Sequence, residues 1–253
     1  MQFNEIHLRR HLVLKNYQQQ IVRECIINLK HFNSDTLALM PDRKKAMFIN
    51  CLSGFKSANL IATQNQQGNS NLAIFSSVVH LGASPALVGF IMRPDNDERH
   101  TLNNIINTTQ YTINQVSTDF YHKAHQASAR YAKHQSEFQQ VGLTEHYIDN
   151  ITPPFVKESH LKYAVKLKEI VPITLNNTQF IIGEITHVIC DEKAIQEDGY
   201  IDIEALKTIS VSGLDSYHRS ERLSRLSYAK PARQIDTLLV NGIIKDTDNI
   251  TGH

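Results

Sequence analysis

"SNLAIFSSVVHLGASPALVGFIMRP", Ser70 to Pro94, decides the fold. It reads as two apolar strands separated by a short polar break, with a Gly-Ala-Ser-Pro turn between them. Paired hydroxyls at Ser76 and Ser77 interrupt the first run, where a strand that only fills a core has no use for them. Small hydroxyls keep a backbone approachable and add two donors, so the pair marks a place where something is held. The bland alternative is a pair of strand hydroxyls bonded to neighbouring backbone.

The same alternation continues outward. "KSANLIATQ" lies before the stretch, across the polar turn "TQNQQGNSN", and "YTINQVS" follows it at Tyr111–Ser117. "LKYAVKLKEIVPITL", "TQFIIGEITHVIC" and "TISVSGL" resume strand character. Short strands with frequent turns predict a mainly β chain, a barrel or sandwich with peripheral helices. "MFINCLSG" reads as a further short apolar element, which places Cys51, like Cys190, in a buried strand. Helical stretches are expected at residues 1–33, where Ile21, Val22, Cys25, Ile26 and Leu29 recur at threes and fours. A surface helix is expected over 118–140, broken by "NITPPFV", and "EKAIQEDGYIDIEALK" reads as a turn leading to a short helix. The stretch from Ala232 has no sustained period. The expected organisation is a helical extension over 1–33, a main domain over 34–231 and a tail over 232–253.

Just downstream, "MRPDNDERHTLNNI" supplies Arg93, Arg99 and His100 in front of a helix that Thr101 is placed to open. Free N–H groups at a helix start, a Thr hydroxyl and adjacent cations make an anion site. The rest of the composition excludes more than it proposes. With 26 Lys and Arg against 25 Asp and Glu, the net charge of +1 makes no global case for nucleic acid or an anionic membrane. Three Cys match no zinc or disulfide pattern, which fits a reducing cytoplasm. No apolar run approaches the roughly 18 residues of a membrane span, and no signal segment is expected. His122 and His125 share one helical face but lack a third ligand or a neighbouring Glu, so no metal is expected. Phosphate-loop, dinucleotide-fold and nucleophile-elbow patterns are absent from the sequence.

The ordered set Asn71, Ser76-Ser77, Ser84-Pro85, Thr101 and Asn114 resembles the flavin reductase-like, FMN-binding split-barrel family. The likeness runs from "LSGFKSANLIATQ" through "RHTLNNIINTTQYTINQV" and again over "SVSGLDSYHRSERLSRLSYAKP", covering most of residues 50–231. It implies a six-stranded antiparallel Greek-key barrel and a homodimer with FMN near the subunit interface. Ser76, Ser77 and the backbone at Val78 would then meet the flavin ring, and Arg93 or Arg99, His100 and Thr101 its phosphate. By the same likeness Asn71 fixes the strand opening or reaches the flavin, Lys56 and Ser57 are flavin or phosphate contacts, and Tyr217 and Arg219 flank the site mouth. The expected function is an oxidoreductase passing hydride from NAD(P)H through FMN to a small-molecule or protein acceptor. Its alternatives are a non-catalytic FMN-binding electron carrier or redox sensor, and a barrel that has lost its cofactor.

Overall fold

The computed structural model describes residues 29–94, 100–132 and 135–245. The expected helix before Leu29 therefore lies almost wholly outside the described residues. The chain divides after Ala46 into two compact units. Helix α1 (Ser34–Ala38) is capped by Asn33, whose side-chain oxygen accepts from the Thr36 N–H at 2.9 Å. Helix α2 (Asp42–Cys51) takes up the residues "MFINC", which corrects the strand expected there, and Cys51 is exposed at its end. Asp42 in the first turn and the Lys-Lys-Ala run behind it favour helix before the β-branched Ile49 is reached.

In the second unit come β1 (Lys56–Ser57), β2 (Asn59–Gln64), β3 (Ser70–Phe75), β4 (Val79–Ala83) and β5 (Ala86–Met92). Helix α3 (His100–Thr108) leads to β6 (Gln110–Gln115), and short helices α4 (Tyr121–Gln126) and α5 (Glu137–Val141) follow. After them run β7 (Glu145–Ile148), β8 (Ile151–Val156), β9 (Leu161–Ile173) and β10 (Thr178–Cys190). The chain ends with β11 (Ile209–Ser212), β12 (Ser216–Arg219), β13 (Arg225–Leu226) and β14 (Thr237–Leu238).

The principal sheet has seven strands in the order β3-β2-β6-β9-β10-β5-β4, every neighbouring pair antiparallel. That is one more than the six expected. Its two edge strands, β3 and β4, are consecutive in the chain and are joined by only Ser76, Ser77 and Val78. Laid flat, seven strands would separate these edges by about 29 Å. Four Cα steps from Phe75 to Val79 reach at most about 14 Å. The sheet must therefore curl until its edges meet, and the three-residue link spans the seam of a barrel. Bulges between Ile182 and Gly183 and between Ile185 and His187 add the bend. Gly183 is required at the first of them, because a Cβ there would run into the side chain of Val165 and the hydroxyl of Tyr111.

The barrel interior is apolar. Phe75 meets Phe90 edge-on with ring centroids 4.9 Å apart, and Phe90 meets Tyr111 at 5.7 Å, with Ile61, Ile113 and Ile181 packed around them. Leu60 and Ala62 point the other way, into a second core against Phe120, Ala124 and Phe138. Both faces of β2 are thus buried, which explains its unbroken apolar run.

Three local expectations are corrected. The helix expected over 118–140 is two short ones, α4 and α5, because the Ser128 hydroxyl donates to the His125 carbonyl at 2.7 Å and ends the first. "ITPPFV" is strand β8, paired with β7, where the proline residues cost no donor that a central ladder would need. Residues 192–207 form a 3₁₀ turn (Glu192–Ala194) and further turns instead of a helix. The tail from Ala232 carries one short strand, and the segment ahead of it is tied down by ion pairs. Strand β14 pairs with β13, and Arg222 bonds Asp202 at 3.3 Å and Glu204 at 2.6 Å. Arg225 bonds Asp198 at 2.5 Å and lies 4.1 Å from the Tyr200 ring centroid. No helix among the described residues is long and apolar enough to cross a membrane.

Candidate functional site

Ser76, Ser77 and Val78 are all half-buried at the seam. The two hydroxyls do different things. Ser77 Oγ accepts from the Ile91 N–H at 3.1 Å and donates to the Ile91 carbonyl at 3.2 Å, continuing by side chain the ladder that β4 makes with β5. The bland reading therefore holds for this hydroxyl. Ser76 Oγ has no hydrogen-bond partner among the described residues. Val78 packs with Phe75 onto the barrel core.

At the other end of β3, Asn71 Nδ2 donates to Thr101 Oγ1 at 2.9 Å. Helix α3 begins at His100, so Thr101 is its second residue and not its cap as expected. Its hydroxyl accepts from Asn71, and no acceptor among the described residues takes its proton. Asn104, one turn on, donates to buried Thr63 at 3.0 Å and fixes the helix against β2. The N–H groups of the first helical turn have no partner within the helix. Arg99 lies outside the described residues.

Lys56 and Arg93 meet elsewhere. Strand β1 belongs to a separate three-stranded sheet, β1-β11-β12. Lys56 Nζ donates to the carbonyls of Asn50 at 2.9 Å and Gly213 at 3.2 Å. Arg93 Nη2 donates to Asn50 Oδ1 at 3.2 Å, so both cations converge on one residue at the end of α2. Arg93 stands two residues beyond Ile91, the residue Ser77 holds. Ser57 Oγ accepts from buried Asn59 Nδ2 at 2.9 Å, and Asn59 pairs with Phe75 beside Ser76. The polar groups therefore fall into two clusters, Asn71–Thr101 at the start of β3 and Lys56–Asn50–Arg93 by its far end. Asn71 and Ser76 are five residue steps apart, about 17 Å of extended chain. The expected single clamp of Arg93 with Thr101 is not formed among the described residues.

Tyr217 Oη bonds His125 Nδ1 at 2.9 Å, and its ring lies 5.5 Å from that of Tyr121. Burial, with Asp215 adding to it, pushes the Tyr217 hydroxyl above its ordinary value. Arg219 is exposed, its backbone paired with Ile209. His122 lies against the Tyr121 ring at 3.9 Å, and no group of three metal-ligating side chains occurs among the described residues. Two residues escaped the sequence reading. Asn50 was hidden by taking "MFINC" as strand, although Asp42 to Cys51 contains no helix breaker. His218 lies between the two residues named in its segment; its Nε2 bonds Ser212 Oγ at 2.7 Å and its ring meets Phe55 at 4.8 Å.

Residues 52–205 match the flavin reductase like domain. This chain belongs to that family. A crystal structure from Shewanella frigidimarina NCIMB 400, provisionally assigned as a flavin reductase with split barrel domain, is 52% identical; it covers 79% of this chain and 100% of its own, with a TM-score of 0.77. Nitrilotriacetate monooxygenase component B from Bacillus cereus is 19% identical over 78% of this chain and 98% of its own, with a TM-score of 0.68. An FMN-binding protein from Thermus thermophilus is 13% identical over 76% of this chain and 96% of its own, with a TM-score of 0.59. The last two are likenesses of fold. Membership makes the protein a split-barrel, flavin-related oxidoreductase, and the seam at Ser76–Val78 lies inside the matched region.

Proposed function

We propose that the protein binds FMN along β3 and passes hydride from NAD(P)H through it to a small-molecule or protein acceptor. The observation that supports this most is the distribution of unspent donors on β3. One end offers the Thr101 hydroxyl in the first turn of α3, and the other, about 17 Å along the chain, offers the Ser76 hydroxyl, which has no partner among the described residues. A phosphate at one end of a sugar-alcohol chain and a flat polar-edged ring at the other fit that spacing.

Bound flavin supplies the hydride chemistry itself, so the chain's part is position and electrostatics. In this reading the start of α3 favours the phosphate dianion through its aligned N–H groups, with His100, Thr101 and Arg99 beside it. Asn71 orients the Thr101 hydroxyl so that its proton points to an acceptor. Ser76 donates to a ring carbonyl. Ser77, spent on Ile91, holds the seam in the shape that lets the ring approach the backbone, and Val78 with Phe75 keeps water from beneath it. Ser57 borders the ring through Asn59. Tyr217 and Arg219 flank the mouth, and a homodimer with the flavin near its interface belongs to the same proposal.

The test is anaerobic mixing of the flavin-loaded protein with NADH or NADPH while the yellow band is followed. Bleaching by either supports the reductase. No bleaching by either dinucleotide, with reduction by dithionite intact, leaves an electron carrier. A protein that purifies colourless and takes up no added flavin ends the reading. Chromatography of the released cofactor decides between FMN and FAD.

A further inference from the structure

Lys56 lies in β1 and Arg93 just beyond the end of β5, yet both bond Asn50, and neither has a carboxylate partner among the described residues. Lys56 is half-buried, and its position has one local cause: the Asn50 carbonyl in the last turn of α2 is at the negative end of that helix. Nothing of the kind explains why Arg93 should be brought to the same residue. No acid among the described residues offsets these two like charges, and their repulsion is relieved when an anion sits between them. Among the described residues, one of three N–H bonds on the ammonium and four of five on the guanidinium remain for it.

We infer that Lys56 and Arg93 form a second anion site, at the seam, that takes the pyrophosphate of the nicotinamide dinucleotide. This rests on the proposed function. In that function the flavin's one phosphate sits at Thr101, beside Asn71 near the start of β3, which leaves this pair at its far end for another anion. The register places Arg93 two residues from Ile91, which Ser77 holds, so the pair borders the ring end. A nicotinamide laid on the ring would carry its pyrophosphate one ribose away, at the ring end that this pair borders. A guanidinium bonds phosphate oxygens in pairs, and an ammonium adds a point charge.

The experiment uses the full-length, flavin-loaded protein with Arg93→Met, Lys56→Met and the double variant. Calorimetry measures binding of inorganic pyrophosphate, and stopped-flow measures flavin reduction by NADH and by reduced nicotinamide mononucleotide, which lacks the pyrophosphate bridge. The expected result is loss of pyrophosphate binding and a rise of about tenfold in KM for NADH, with kcat, FMN affinity and KM for the mononucleotide nearly unchanged. Arg93→Lys restores part of the affinity. Arg93 is exposed, so its variant keeps the test decisive if Lys56→Met does not fold. Unchanged pyrophosphate binding in the variants, or no binding by the wild type, overturns the site. Loss of FMN affinity in step with pyrophosphate also overturns it, because the cations would then serve the flavin. A wild type that binds pyrophosphate through these residues but is not reduced by NADH keeps the anion site, while the donor reading and the dinucleotide as its ligand both fall.

Discussion

Ser77 grips both backbone groups of Ile91, accepting its N–H at 3.1 Å and donating to its carbonyl at 3.2 Å. A side chain thereby does what a strand would do at the seam of the barrel, and the hydroxyl of its neighbour Ser76 has no partner among the described residues.

The two serines are therefore expected to respond differently to substitution. Ser77→Ala strands a backbone donor and acceptor and should cost about 1–2 kcal/mol in urea unfolding of the flavin-free protein. Ser76→Ala should leave stability within about 0.5 kcal/mol and weaken flavin binding by about three- to tenfold. The opposite pattern would remove the ring contact from Ser76.

Asn71 and Thr101 are expected to recognise the phosphate alone. Asn71→Ala and Thr101→Val should each lower FMN affinity by about tenfold while riboflavin, which lacks the phosphate, binds as before. Fluorescence titration with the two ligands reads this directly, and an equal loss for both would place the phosphate elsewhere.

Gly183→Ala is expected to destabilise the barrel by about 1–3 kcal/mol, because the new Cβ meets Val165, the Tyr111 hydroxyl and the Lys166 carbonyl at 3.1 Å. Tyr111→Phe removes one of these obstacles. A double-mutant cycle should show partial rescue, since the two sites share a contact.

Tyr111 has no partner for its buried hydroxyl among the described residues, so Tyr111→Phe alone should be neutral or stabilising near pH 7. The pH dependence that its buried hydroxyl brings is felt only at high pH. Burial pushes the Tyr163 hydroxyl up to about 12 and that of Tyr111 further, the neighbouring Tyr163 adding to the latter. An unfolded tyrosine ionises near 10, so the unfolded state releases these protons first. Stability from these groups is whole below about pH 10 and is lost as pH climbs towards the folded values. Lys162 opposes the trend: burial lowers its pKa, Glu158 partly offsetting this, so its cost is relieved as pH rises towards the ordinary lysine value of 10.5. Base-induced unfolding, followed by circular dichroism, should begin above pH 10 and be less steep in Tyr111→Phe.

Strand periodicity was legible for β2, β3, β5, β6, β9 and β10, because alternation and apolar runs are local properties of the chain. The helix at "HTLNNI" was legible to within a residue. Where neighbours override local preference, the sequence misled. "MFINC" follows a helix already begun at Asp42, and Ser128 ends a helix that composition would extend.

For the site, the residues themselves were written in the sequence: paired hydroxyls, an Asn at a strand start, cations before a helix. Which of them meet was not. Asn71 finds Thr101 across 30 positions, Ser77 finds Ile91 across 14, and Arg93 reaches back 43 positions to Asn50 instead of joining Thr101. Those partnerships follow from curling a seven-stranded sheet until a three-residue link can join its edges, a closure that sums the pairing of every strand and is encoded in no one segment.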